Sequence, residues 1–174
     1  MNEAILYTLA ELGIALAGFT GVVIALLPPG ARNWTSTELR FLWFLLGDSF
    51  LVVFFSLLPV SLALTSWSLD SIWGVSNAAL GSWFVIGNLL AIWGELRDRE
   101  AQRTLTVPMI TPVLYSILVI AFVVGIALWL AAADILVPRG QAMYVFGLLT
   151  LLGFGAIEFL FFIGRMSQQD HLSR

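Results

Sequence analysis

The chain has 174 residues, 60% of them hydrophobic and 11% charged, with a mean hydropathy of +0.96, whereas a soluble domain is about half apolar and about a quarter charged. That balance reads as an all-α integral membrane protein, since five spans of about 20–25 residues each would use most of the length. The net charge of −3 without a basic stripe excludes a nucleic-acid partner. The absence of Cys and Lys, with His171 as the only histidine, removes thiolate metal sites, lysine Schiff bases, histidine-ligated haem inside the membrane and a buried Ser-His-Asp triad.

The first apolar segment is predicted over residues 4–27 and stops at Pro28-Pro29-Gly30, where the chain lacks the N–H groups a helix needs. No positive charge precedes it, so it does not read as a cleaved signal peptide. Gly13, Ala17 and Gly21 recur every four residues and predict one close-packing face. Glu11 lies on the other side, on a face shared with Ala15, Gly18 and Val22. The second helix is predicted over 39–64, opened by a capping box from Thr35 to Glu38. It carries Asp48 in its interior and Pro59 as a helix kink.

The third helix is predicted over 69–96 and opens with Ser66 or Ser68 as its cap. At 100° per residue it aligns Asp70, Asn77, Gly81, Asn88 and Glu95 in a polar lane. Asp70 and Glu95 fall at its ends, which leaves Asn77, Gly81 and Asn88 inside the membrane. Small residues around its circumference predict neighbours on several sides. A cytoplasmic loop over 97–107 follows, whose charged start favours some helical extension through i,i+4 pairing of Glu95 with Arg99. The fourth helix, 109–133, has no charge and reads as lipid-facing. The fifth, 141–164, carries Glu158, with Gly153 and Gly155 predicted as packing positions beside it. A polar tail, 165–174, ends the chain.

All basic residues are arginine, and their placement sets an orientation. With the amino terminus outside, Arg32, Arg40, Arg97, Arg99, Arg103, Arg165 and Arg174 fall on the cytoplasmic side, against Arg139 outside. The chain is therefore read as one five-helix bundle spanning residues 1–174, N-terminus out and C-terminus in, in a bacterial or archaeal cytoplasmic membrane. Trp34, Trp43, Trp67, Trp73, Trp93 and Trp129 stand near predicted span ends, as an aromatic belt would have them.

Three acids, Glu11, Asp48 and Glu158, fall within apolar segments, where an ionised residue costs about 2.5–3.5 kcal/mol at mid-span. Asp48, Asn88 and Glu158 reach similar depths and are expected to cluster; Glu11 and Asn77 would form a second polar level. Together they outline a path for a proton or small cation. Intramembrane protease motifs are not met: Leu45 stands where a Gly-x-Gly-Asp pattern needs glycine, and no Gly-x-Ser-Gly occurs. No potassium-channel filter sequence is present either. The sequence thus predicts a channel or carrier for protons or small cations, homo-oligomeric because five helices enclose little room. It predicts no catalytic residues, metal or cofactor. The alternative is a non-catalytic membrane subunit, assembly factor or sensor that docks a membrane-protein partner through its small-residue and polar faces.

Overall fold

The computed structural model describes residues 2–26, 36–101, 110–135 and 140–172. Among these, the chain forms five α-helices: α1 (Glu3–Leu26), α2 (Ser36–Leu62), α3 (Leu69–Ala101), α4 (Ile110–Ala132) and α5 (Gln141–Leu172). Four contain a segment long and apolar enough to cross a membrane: Glu3–Leu26, Leu42–Leu62, Tyr115–Ala132 and Gln141–Gly164. α3 is not among the four, because two asparagines, three serines, four spaced glycines and a charged end dilute its apolar content. Two predicted ends move outward. Residues 97–101 are helix rather than loop, and the predicted tail is helical as far as Leu172. Both stretches are mostly charged or polar and lack glycine and proline, so nothing local stops the helix. The Pro28-Pro29-Gly30 stop, Thr35 of the capping box and residues 102–107 lie outside the described residues.

The helices sort into two compact units, and α5 contributes to both. One unit holds α3, α4 and the start of α5 to Gly147. Here α4 buries Ala121, Val124, Gly125, Leu128 and Ala131, an i, i+3, i+4, i+7 stripe, and turns Val119, Phe122, Val123 and Ile126 outward. Its stripe meets α3 at a pair of glycines. A Cβ on Gly81 would come within 2.9 Å of the Gly125 carbonyl oxygen and 2.7 Å of Trp129 Cδ1. A Cβ on Gly125 would come within 3.2 Å of the Gly81 carbonyl oxygen. Trp129 closes over this crossing and donates from Nε1 to Ser82 Oγ (3.2 Å), which itself donates to the Ala78 carbonyl (2.7 Å). At the other end of the unit, fully buried Tyr144 packs against Trp73 with ring centroids 5.8 Å apart. Trp73 is therefore core, not belt, whereas Trp43, Trp67, Trp93 and Trp129 are exposed.

The helix ends are satisfied locally. Ser68 caps α3, accepting from the Ser71 N–H at 3.2 Å. α4 ends on Asp134 at φ 60°, with Ile135 N–H donating to the Leu130 carbonyl (2.9 Å) and Asp134 N–H to that of Ala131 (3.1 Å). That paired bond pattern is a Schellman motif, here with aspartate in the left-handed position.

The second unit holds α1, α2 to Ser61 and α5 from Leu148. Its core is Leu6, Leu9 and Ala10 of α1, Leu45, Val52 and Phe55 of α2, and Leu151, Phe154 and Phe162 of α5. A Cβ on Gly13 would lie 2.8 Å from the Ser49 carbonyl oxygen and 3.3 Å from Val52 Cβ, so α1 and α2 approach backbone to backbone there. Farther along, Phe19 of α1 meets Phe159 of α5 edge to face at 5.5 Å. Pro59 is buried inside α2, which continues through it to Leu62. Gly21 and Gly153 have nothing within 4 Å of where a Cβ would stand, and Ala17 is half-buried. Of the predicted packing positions, Gly13, Gly81 and Gly155 are thus the ones at which a neighbour closes on the backbone.

This contrast sets a stability prediction. Gly81→Ala forces a Cβ against a backbone oxygen and should destabilise by about 1–3 kcal/mol. Gly153→Ala fills open space on a helix and should stabilise by up to about 1 kcal/mol. Thermal unfolding in detergent should lower the midpoint of the first variant and leave that of the second equal or higher.

Candidate functional site

The second unit brings two of the predicted acids together. Asp48 follows Leu45 by one turn of α2, and Glu158 follows Gly155 by one turn of α5. The glycine allows their approach: a Cβ at position 155 would stand 3.9 Å from both Asp48 Cβ and Leu45 Cδ1, and 3.0 Å from Leu16 Cδ2. A larger residue there would displace Leu16 and separate the helices. The two carboxyl groups interact electrostatically across this contact. Both residues are half-buried. Oε2 of Glu158 is buried with no hydrogen-bond partner.

No neighbouring hydroxyl fills that vacancy. Ser49, next to Asp48, donates its hydroxyl to the Leu45 carbonyl at 2.8 Å, while its own carbonyl lies under Gly13. The sequence places no arginine between Arg40 and Arg97, or between Arg139 and Arg165, so neither acid has a basic residue within its own apolar segment. Among the described residues no group of three or more His, Cys, Asp or Glu side chains could hold a metal ion. The chemistry left to two adjacent carboxyl groups is to accept, share and release a proton, or to hold a small cation between them.

Glu11 does not join them. It is exposed on α1, as are Ala15, Gly18 and Val22 on the same face. The reason lies in Gly13: it packs on α2, and Glu11, two residues away, is about 200° round the helix. Glu11 therefore points outward, and it lines no interior polar level in its unit.

The amides belong to the other unit. Asn77 and Asn88 are buried, and each donates to a carbonyl of its own helix, Asn77 to Trp73 at 2.8 Å and Asn88 to Phe84 at 3.0 Å. The Oδ1 of each amide, and Ser76 Oγ, are buried without a hydrogen-bond partner. Between the two amides the lane is interrupted. At Gly81 the α4 backbone and Trp129 fill the groove, so the Asn77–Gly81–Asn88 line is a packing seam at its midpoint and not an open track.

Composition could not distinguish these roles. The Gly81–Gly125 crossing and the Trp129–Ser82 bond carry only a weak sequence signal, small residues at matching depth, and Gly125 is not among the predicted packing positions. No protein-family model, curated protein or solved structure matches the chain.

If Asp48 and Glu158 act as one unit, their substitutions will not add. A double-mutant cycle with Asp48→Asn and Glu158→Gln, read by equilibrium unfolding in detergent, should give a coupling of roughly 0.5–3 kcal/mol. Additivity within experimental error would separate the two groups.

Proposed function

We propose that the chain is an integral membrane protein of five spans that moves protons or small monovalent cations across the bilayer, with Asp48 and Glu158 as the binding pair. The observation that carries this reading is the adjacency of two carboxyl groups in an apolar helical unit, one with an oxygen buried and unbonded. Each ionised residue at mid-span costs about 2.5–3.5 kcal/mol, and two of one sign repel. Such a pair persists at low cost when a proton or cation occupies it, and exchange of that occupant is transport. A purely structural contact would be served by an amide or hydroxyl, as elsewhere in this chain.

The depth of the pair supports the same reading. Asp48 stands six positions after Leu42, and Glu158 six before Gly164, the ends of their apolar segments. At 1.5 Å per residue both lie about 9 Å below the same surface. The positive-inside distribution makes that surface cytoplasmic. α3 serves as the remaining span: its 33 residues reach about 50 Å, longer than the roughly 30 Å hydrocarbon core, so its charged end extends into the cytoplasm. The inner membrane of a bacterium or archaeon is the setting in which this arginine bias has its orienting effect.

Two measurements test the proposal. In liposomes, the wild-type protein should conduct protons above the empty-vesicle rate, and Asp48→Asn and Glu158→Gln should each cut that flux about tenfold or more. No wild-type flux of protons, sodium or potassium would overturn the reading. For orientation, the absence of native cysteine permits single-cysteine mapping. In intact cells an impermeant maleimide should label Ser66→Cys and Asp134→Cys, and should label Glu100→Cys only after the membrane is opened.

A further inference from the structure

In the unit that holds the carboxyl pair, the apolar stretches 3–26, 42–61 and 148–164 contain no asparagine and no glutamine. Both buried amides, Asn77 and Asn88, belong to the other unit. The buried hydroxyls beside the pair are turned elsewhere. Thr20 and Ser49 hold their oxygens against their own helices, donating to the Leu16 and Leu45 carbonyls at 2.8 Å each. The lining is hydrocarbon. Glu158 continues the stripe Leu151, Phe154, Gly155 and Phe162 of α5, with buried Phe154 and Phe162 one turn to either side. Asp48 stands between Leu45 and Val52 of α2, both fully buried. Leu16 Cδ2 and Leu45 Cδ1 are the carbon atoms that close on Gly155.

What such a pair can hold follows from its supply of oxygen. A hard cation bound by oxygen takes about six ligands, and two carboxyl groups bring two oxygens each. Amides do not supply the rest, and the two hydroxyls are held against their own helices. Water does not reach Oε2 of Glu158, because that atom is buried. A proton asks for far less: one oxygen carries it and a second accepts from it. It also removes one of two like charges that interact across an apolar contact. No basic group competes for the role. Glu3, Tyr7 and Glu11 of α1 are exposed, and Asp48 and Glu158 are the titratable residues of residues 42–61 and 148–164. We propose that the pair holds one shared proton and rejects sodium and potassium, so that the proton is the transported species. The choice of occupant comes from the lining; its exchange across the bilayer rests on the transport reading above.

Two arms, both on the full chain in liposomes at neutral pH, separate occupant from transport. Infrared spectroscopy reads the C=O stretch of a protonated carboxyl group, assigned to the pair by its loss in Asp48→Asn or Glu158→Gln. That band should be present in choline chloride and keep its intensity in sodium or potassium chloride. A cation binding at about ten times its Kd would displace the proton and cut the band roughly tenfold. Such a loss, or no band assignable to either residue in any salt, would overturn the inference. In the second arm, proton flux should be unchanged when choline replaces all sodium and potassium, and tracer sodium or rubidium uptake should stay at the empty-vesicle rate. Tracer uptake above that rate, or proton flux that requires sodium or potassium, would overturn the inference and leave the transport reading standing. A salt-indifferent band without flux of any ion would do the reverse, leaving a proton-holding pair that transports nothing.

Discussion

Close approach of helix backbones at glycine is the constraint on which this structure rests. Lipid tails are as apolar as leucine, so helices in a membrane gain little from burying apolar surface against each other and depend on contact density instead. Gly81 and Gly125 provide that contact between α3 and α4: a Cβ on Gly81 would collide with the Gly125 carbonyl at 2.9 Å, and one on Gly125 would crowd that of Gly81 at 3.2 Å. Gly13 does the same for α1 against α2. The aromatic residues are then placed by these crossings: Trp129 lies over the Gly81 contact because the missing side chain leaves a groove of its width. The cost of each glycine, about 1 kcal/mol of helix propensity relative to alanine, is offset only where a neighbour occupies the groove.

Tight crossings dictate how polar side chains behave. Thr20, Ser49, Ser82, Asn77 and Asn88 each donate to the carbonyl four residues earlier in their own helix, at 2.7–3.0 Å. Folded back in this way, a hydroxyl or amide satisfies its donor without a partner on another helix. A carboxylate has no such recourse, because it only accepts and the helix carbonyl only accepts too. Asp48, Glu158 and Glu11 are thus carboxyl groups inside the apolar segments that the local backbone cannot absorb in this way. The fold answers two of them by pairing them beside Gly155.

How much of this the sequence carried depends on the kind of information each residue holds. The helices are written in long apolar runs broken by Pro-Pro-Gly, serine and proline, and the bounds follow to within a few residues. The ends of α3 and α5 extend farther because charged and polar residues are good helix formers once outside lipid, and polarity alone does not mark a stop. Depth suggested a cluster of Asp48, Asn88 and Glu158, and it could not say which helices pack together: Asp48 and Glu158 share a unit, whereas Asn88 belongs to the other. The meaning of small residues was not legible either. Gly13 and Gly21 share a four-residue repeat, yet one is pressed against α2 and the other faces open space, because helices cross at an angle and touch over a limited length. The polar lane of α3 was misleading for a related reason: Gly81 extends it on a helical wheel, but glycine is also where a neighbouring backbone enters.

The same chemistry that makes the acids conspicuous leaves them in different surroundings. Asp48 and Glu158 come from two helices of one chain, meet beside a glycine contact and are half-buried, with one Glu158 oxygen fully buried. Under the proposed function, a proton or small cation would be what this pair binds and releases. Glu11 is exposed, on the far side of α1 from the Gly13 contact, so within its unit it does not join that pair. If the pair does exchange protons as proposed, access to it would go past Leu16, whose Cδ2 lies 3.0 Å from where a Cβ on Gly155 would stand. What bounds the pair is thus a single glycine with Leu16 and Leu45 against it, and the chemistry of the two acids is set by that contact.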